Sequence, residues 1–389
     1  MTHPMPTTTR GEAVPVMQSP PGPETVIDGQ RYLYFGGTGY LGLAGHMEVI
    51  EAACEAVRRY GLHTATSRSG FGNNPPTLEV ERRAAEFFGQ EAAFYFSSGY
   101  VGNHILIQAL AGRFDVVFAD AAAHYSLEEA ARLSGQPVTR FQHADPDDLQ
   151  RLLQQQRRPN ERPLVLTDGV FSAGGDIAPL DQYVETLSRY EGASLLVDDA
   201  HGFGTLGDNG RGTLEHFGLW GPSVNSAARP AGPGLFVVGT LSKALGGFGG
   251  ILVGSDEFVR QTRASSHYFD GASAPPSPVA GATAKALEIV IREPQLRARL
   301  RENVLCLRQG LRGLGLTATD SPSPVVGLAV GDARNMQRLH RALKEQGILV
   351  PYFATYSGTG KEGLLRIAVC AAHTSAMLQR LLSELARIV

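Results

Sequence analysis

From about residue 48 to the C-terminus, short apolar runs alternate with longer stretches in which apolar side chains recur every three or four positions. The runs Ala92–Phe96, Val116–Ala119, Pro163–Thr167, Ser194–Val197, Leu235–Gly239 and Gly250–Val253 are too short for helices. They are rich in β-branched and aromatic residues, so they predict strands. Helical periodicity predicts helices over Glu48–Tyr60, Tyr100–Ala111, Asp145–Gln155, Leu180–Tyr190, Ser277–Ile291, Asn335–Gln346 and Thr374–Ile388. Strands of nearly unbroken apolarity, separated by helices, describe an α/β fold with a largely parallel sheet covered on both faces.

Beyond about residue 290 the order changes to helix, strand, helix, strand, strand, helix. That order predicts a smaller α+β lobe over 286–389, completed by an N-terminal strand at Tyr32–Phe35. A large domain is expected over 28–285, with 28–47 packing on the small lobe. Residues 1–27, rich in Pro and Thr, are expected to form a flexible arm. The Pro/Gly/Ala/Ser-rich segment Pro222–Gly234 reads as a surface loop.

Composition narrows the function classes. A chain of 389 residues with 43% hydrophobic and 19% charged residues is that of a globular enzyme. A net charge of −3 gives no basis for nucleic-acid or anionic-membrane binding. No apolar run is long enough to span a bilayer. Cys54, Cys306 and Cys370 lack the spacing of a disulfide framework or a cysteine zinc site, which points to a reducing cytoplasm and no metal.

The candidate chemistry falls at strand ends. Ser97-Ser98-Gly99, Asp168, Asp198 and Thr240 each follow a predicted strand, and in parallel sheets ligands gather on that rim. Lys243 sits in the hydroxyl-rich turn Thr240-Leu241-Ser242-Lys243, followed by the small, glycine-rich run from Ala244 to Gly250. Lysine is ordinarily a solvated surface residue, but these flanks are a poor setting for a free ammonium. Asp198 ends the buried run Ser194–Val197, and a buried carboxylate needs a cationic partner unless it serves as a helix cap. Together they match the demands of pyridoxal phosphate (PLP), an amine to hold the aldehyde and an acid to keep the pyridine nitrogen protonated. The junction Ser98-Gly99-Tyr100 offers free backbone N–H groups at a helix start for a phosphate, with Thr240 and Ser242 as hydroxyl donors. His124 could stack on the cofactor ring or be a loop histidine. His201 could bond the cofactor phenolic oxygen or be structural.

Gly202-Phe203-Gly204-Thr205-Leu206-Gly207 fits the dinucleotide fingerprint letter for letter. It leads into the turn-rich Asp208–Gly212, however, where that fingerprint requires a helix, so it is discounted.

At these residues the chain resembles the α-oxoamine synthases, a family of fold-type I PLP-dependent acyltransferases. The likeness includes Tyr40-Leu41-Gly42-Leu43, Ser67-Arg68, Leu78-Glu79, Phe96–Tyr100, Asp168–Leu180, Asp198–Gly207, Gly239–Gly250, Ala274-Pro275-Pro276 and Leu365-Arg366-Ile367. The resemblance implies a seven-stranded sheet between helices and a homodimer with shared active sites. It also implies condensation of an amino acid with an acyl thioester to an α-amino ketone. Lys243, Asp198 and His124 then correspond to the aldehyde-binding lysine, the pyridinium partner and the stacking histidine. His201 and Ser172 lie near the phenolic oxygen, and Ser273 lies in the block that reaches the neighbouring subunit's phosphate. Arg366 corresponds to the carboxylate-gripping arginine, and Arg68 and Gly39 are expected near the substrate.

Gly39 stands where the family carries Asn, Pro75 where it carries His, Asp199 where Glu is common and Ala173 where Met is common. The first two are expected around the substrate pocket. Transamination, racemisation, aldol cleavage and elimination share the same first steps and form the alternative class. A non-catalytic binding protein on this fold is a third.

Overall fold

The computed structural model describes residues 14–227, 232–316 and 320–389. It opens with an antiparallel hairpin, β1 (Glu24–Ile27) and β2 (Gln30–Tyr34). The expected arm over 1–27 is therefore too long. From Met17 onward the backbone is tied down, by a bridge to Ile27 and by Gln18 N–H donating to the Val26 carbonyl. Residues 1–13 of the expected arm lie outside the described residues.

The large sheet comprises β3 (Ala92–Phe96), β4 (Val116–Asp120), β5 (Val138–Phe141), β6 (Pro163–Asp168), β7 (Ser194–Asp198), β8 (Gly234–Thr240) and β9 (Gly250–Gly254). Their order across the sheet is β3-β9-β8-β7-β6-β4-β5, and only β9 runs against the rest. Strands β4, β6, β7 and β9 are buried at every position, which is why their sequences show no polar alternation. Helices cover both faces and divide the core into two apolar clusters, one on each side.

The smaller lobe holds β10 (Val325–Leu328), β11 (Ile348–Leu349), β12 (Tyr352–Phe353) and β13 (Leu364–Ala368), one strand more than expected. The order β10-β13-β12 forms one small antiparallel sheet, and β11 adds in parallel to β2. The N-terminal hairpin thus completes the C-terminal lobe. The expected boundary at 286 falls inside the continuous helix Ser277–Arg292, which packs against the helices Met47–Tyr60 and Pro75–Phe88. The chain leaves that layer at Glu293-Pro294.

Pro75 is the first residue of the helix Pro75–Phe88, capped by the Asn74 side chain accepting from Thr77 N–H at 3.0 Å. It lines a separate cavity beside Lys285 and Glu288, so it does not border the candidate active site as expected. In the segment Pro222–Gly234, residues 228–231 lie outside the described residues. Asn225 belongs to the core: its amide donates to the carbonyls of Val237 and Val253, both at 2.7 Å. Among the described residues, no helix is long and apolar enough to cross a membrane.

Candidate active site

Because β3, β4, β6, β7 and β8 run in one direction, their C-terminal ends share one rim. A cavity of about 370 Å³ opens there. Ser98 and Gly99 from the turn after β3, Asp168 and Asp198 from the ends of β6 and β7, and Thr240 from the end of β8 all line it. Arg366, from β13 of the smaller lobe, closes the far side with Phe353 and Tyr356.

Lys243 is held in the turn after β8. Leu241 N–H donates to the Gly249 carbonyl at 2.9 Å and Gly247 N–H to the Leu241 carbonyl at 2.8 Å. Thr240 Oγ1 donates to the Gly249 carbonyl at 2.8 Å. Gly246 has φ +68°, and a Cβ there would lie 2.3 Å from Leu43 Cβ, so both the turn and its packing require glycine. Burial lowers the Lys243 pKa to about 8, against the opposing pull of Asp198 and Asp168. The amine is therefore partly neutral near physiological pH.

Asp198 and Asp168 are paired residues of adjacent strands β7 and β6. Asp198 accepts from the Asn103 amide at 2.6 Å and from Ala200 N–H at 3.1 Å. Asp168 accepts from His124 N–H at 2.8 Å. Burial, and after it the charge of Asp198, pushes the Asp168 carboxyl well above the usual carboxylate range.

His201 is buried and bonded at both nitrogens, Nδ1 to the Tyr40 hydroxyl at 2.7 Å and Nε2 to Lys243 Nζ at 2.8 Å. Burial first, and then the Lys243 charge, holds it well below the ordinary histidine value. His124 caps the helix Tyr125–Leu133, with Nδ1 2.8 Å from Ser126 Oγ, and is held neutral in the same way, chiefly by burial. Arg366 Nε donates to the Ser172 carbonyl at 2.7 Å and Nη2 to Tyr40 Oη at 3.1 Å. Its Nη1 makes only long contacts of 3.4–3.5 Å to the carbonyls of Gly37 and Gly36.

These residues fit PLP. At Gly99 a Cβ would stand 2.7 Å from Thr240 Cβ, so the β3 and β8 turns close against each other. They bring the Ser98-Gly99-Tyr100 backbone and the Thr240 and Ser242 hydroxyls, 2.6 Å apart, to one anion seat. Asp198 and Asp168 form an acidic wall suited to a cationic ring nitrogen, and Lys243 supplies the amine.

Two residues expected near the substrate, Arg68 and Gly39, do not line the cavity. Arg68 is fully engaged elsewhere, paired with Glu81 through Nη1 at 2.7 Å and Nη2 at 3.0 Å, and is 3% exposed. Gly39 borders a neighbouring cavity of about 230 Å³. Ser273, expected at the neighbouring subunit's phosphate and not at this cavity, is exposed, and its carbonyl accepts from Ser97 Oγ at 3.3 Å. Among the lining or supporting residues that escaped sequence reasoning are Tyr40, Asn103, Ser126, Phe353 and Tyr356. Asn103 carried a usable signal, a polar amide in the first turn of the largely apolar helix Gly102–Ala109. Gly202–Gly207 forms turns leading to the four-residue helix Thr213–His216, with no dinucleotide-type helix start.

The model of the aminotransferase class I and II family matches residues 33–385. An 8-amino-7-oxononanoate synthase of Stutzerimonas stutzeri is 38% identical over 372 residues, covering 96% of this chain and 91% of the relative. One of Methylococcus capsulatus is 39% identical over 374 residues, covering 96% and 93%. The serine palmitoyltransferase of Sphingomonas wittichii superposes with a TM-score of 0.86 at 30% identity, covering 96% of this chain and 91% of that one. A serine palmitoyltransferase solved with PLP superposes with a TM-score of 0.87, also at 30% identity, covering 96% of this chain and 92% of that one.

Proposed function

The chain belongs to the aminotransferase class I and II family and, within it, to the α-oxoamine synthases, and from that premise we propose how its residues divide the work of a PLP-dependent acyltransferase. The reaction joins an amino acid to an acyl thioester. A bond forms between the amino-acid α-carbon and the acyl carbonyl carbon, and the thiol leaves. In the reading we favour, carbon dioxide leaves as well, giving an α-amino ketone.

Bound in this site, PLP supplies an electron-withdrawing ring that stabilises negative charge at the substrate α-carbon. Asp198, oriented by Asn103, holds a proton on the ring nitrogen. Arg366 grips the substrate carboxylate, and its weakly engaged Nη1 is the group free to turn to it. Lys243 Nζ, with its pKa lowered to about 8, takes the α-proton. His124 and His201 stay neutral and orient the cofactor by contact and hydrogen bond. Ser98, Gly99, Tyr100, Thr240 and Ser242 hold the phosphate.

The carrying observation is the convergence of Lys243, both carboxylates and Arg366 on one cavity, on a chain 38% identical to an 8-amino-7-oxononanoate synthase over nearly its full length. Supporting a homodimer, Phe71 is 94% exposed and Leu62 62%, an apolar display that an interface would bury. Three free cysteines suit a cytoplasmic setting.

Thiol release from acyl thioesters, in the presence of each amino acid in turn, tests the reading. Lys243→Ala is expected to reduce release by at least about 10²-fold. Turnover retained in that variant would overturn the assignment.

A further inference from the structure

Arg366, Tyr40, His201 and Lys243 form one unbroken hydrogen-bonded chain. Its links are 3.1 Å from Nη2 to Oη, 2.7 Å from Oη to Nδ1 and 2.8 Å from Nε2 to Nζ. Tyr40 is 1% exposed and comes from the loop after β2, 161 residues from His201. Within the hairpin-to-helix segment it reads as core, yet its only polar atom is spent in the site.

The direction of the chain follows from donor counting. A guanidinium has no acceptor, so Arg366 must donate to Tyr40 Oη. The phenol carries one hydrogen, and among the described residues its only other hydrogen-bond partner is His201 Nδ1. Were Nδ1 protonated, the buried phenol hydrogen would have no acceptor, a cost of roughly 1–3 kcal/mol. Nδ1 is therefore the acceptor, and the proton of the neutral ring lies on Nε2. Nε2–H then points at Lys243 Nζ, and only a neutral amine has a lone pair to receive it.

We propose that Tyr40 is a positioning residue whose phenol hydroxyl fixes the His201 tautomer and thereby favours the neutral amine of Lys243. The inference rests on Lys243 acting as the base, as proposed above. It adds a specific group, outside the residues that contact the cofactor, that sets how readily the base is available. The charged and titratable groups facing Lys243 are Asp198, Asp168, Arg366, His201 and His124, and those facing Tyr40 are Arg366, His201 and Tyr356. The two carboxylates favour the ammonium, and the directed chain works against them.

Tyr40→Phe removes the hydroxyl and keeps the ring. The sequence holds only four lysines, Lys243, Lys285, Lys344 and Lys361, so lysine resonances of the isotopically labelled full-length chain can be followed individually by NMR. In the cofactor-free chain the Lys243 titration midpoint is expected to rise by about 0.5–1 pH unit in the variant, the worth of one ordinary hydrogen bond. The other three lysines serve as internal controls for folding and should not move. In the holoenzyme, where the Lys243 amine is free only once the substrate has displaced it, the acid limb of kcat should move up in the same direction. A Lys243 midpoint that stays or falls, with the other three unchanged, overturns the inference. If the other lysines shift too, Tyr40 acts through packing and the inference fails as well. Should Lys243→Ala retain turnover while the midpoint rises, the base assignment fails and the tautomer assignment stands.

Discussion

Arg68 was expected beside the substrate, and its actual position yields a sharp prediction. It forms a bidentate pair with Glu81 in which both partners are buried, and its Nη1 also donates to the Tyr95 carbonyl at 2.8 Å. Glu81 in turn accepts from Tyr95 N–H at 2.9 Å and pairs with Arg263 at 2.9 Å. Breaking one side of a buried pair costs about 3–5 kcal/mol, because a charge remains without its partner. For Arg68→Met the retained Arg263 contact sets the loss near the lower end, about 3 kcal/mol. Glu81→Met leaves Arg68 buried and unpaired, so its loss should be at least as large. In the double variant the only charge left without its ionic partner among these three residues is Arg263, which is 29% exposed and keeps its bond to the Ala93 carbonyl. The cost of the double variant should then be about 2–4 kcal/mol, well below the roughly 6–8 kcal/mol of the summed singles. Urea unfolding of all four proteins at saturating cofactor measures the cycle, and amino-acid KM is measured alongside. An Arg68→Met protein that lost under about 1 kcal/mol of stability but raised KM tenfold would refute the structural reading.

Two further outcomes follow from the buried titratable groups. With the Lys243 pKa lowered to about 8 by burial, kcat should fall as pH drops below about 8, since an ammonium in the substrate-bound enzyme cannot accept the α-proton. His124 and His201 are already neutral there and add no limb; a profile flat from pH 6 to 9 would contradict the base role. Burial raises Asp199 to about 7, with Thr213 bonds at 2.6 Å opposing, so the folded state keeps a proton that the unfolded chain releases above pH about 4. Stability therefore declines from pH about 4 to 7, by up to roughly 4 kcal/mol, and Asp199→Asn, which mimics the protonated acid, should flatten that decline in urea midpoints at pH 5 and 8.

Residues that follow strands were the readable part of the site. Asp198, Asp168, Thr240 and Ser98 end apolar runs that admit no other reading than buried strand, and a parallel sheet brings all such ends to one rim. The helix Pro75–Phe88 was not readable, because Pro75-Pro76 and the charged Glu79, Glu81, Arg82 and Arg83 mask its apolar face of Val80, Ala84, Phe87 and Phe88. Missing that helix hid Glu81, and without Glu81 the role of Arg68 could not be seen. Tyr40 was hidden by its company, Leu41 and Leu43, which mark the segment as core. Only the tertiary approach of His201 reveals its hydroxyl as part of the site. Tyr356 lies in a loop between β12 and β13 with no periodic or spacing signal at all.

The charges around the cavity explain why this fold tolerates its own costs. The register of β6 and β7 sets two buried carboxylates side by side, and burial and mutual repulsion force Asp168 toward its neutral form. Across the cavity, Lys243 is pushed toward neutrality by the same burial, and His201 and His124 are held uncharged. The site thus suppresses much of its own ionisation, with Asp198 on one wall and Arg366 on the other. A ligand with a cationic ring nitrogen at one end and an anionic carboxylate at the other answers both at once. Neither group alone would, since each would leave an uncompensated charge in a desolvated cavity. The joint presence of cofactor and amino acid is therefore the state for which these residues are arranged.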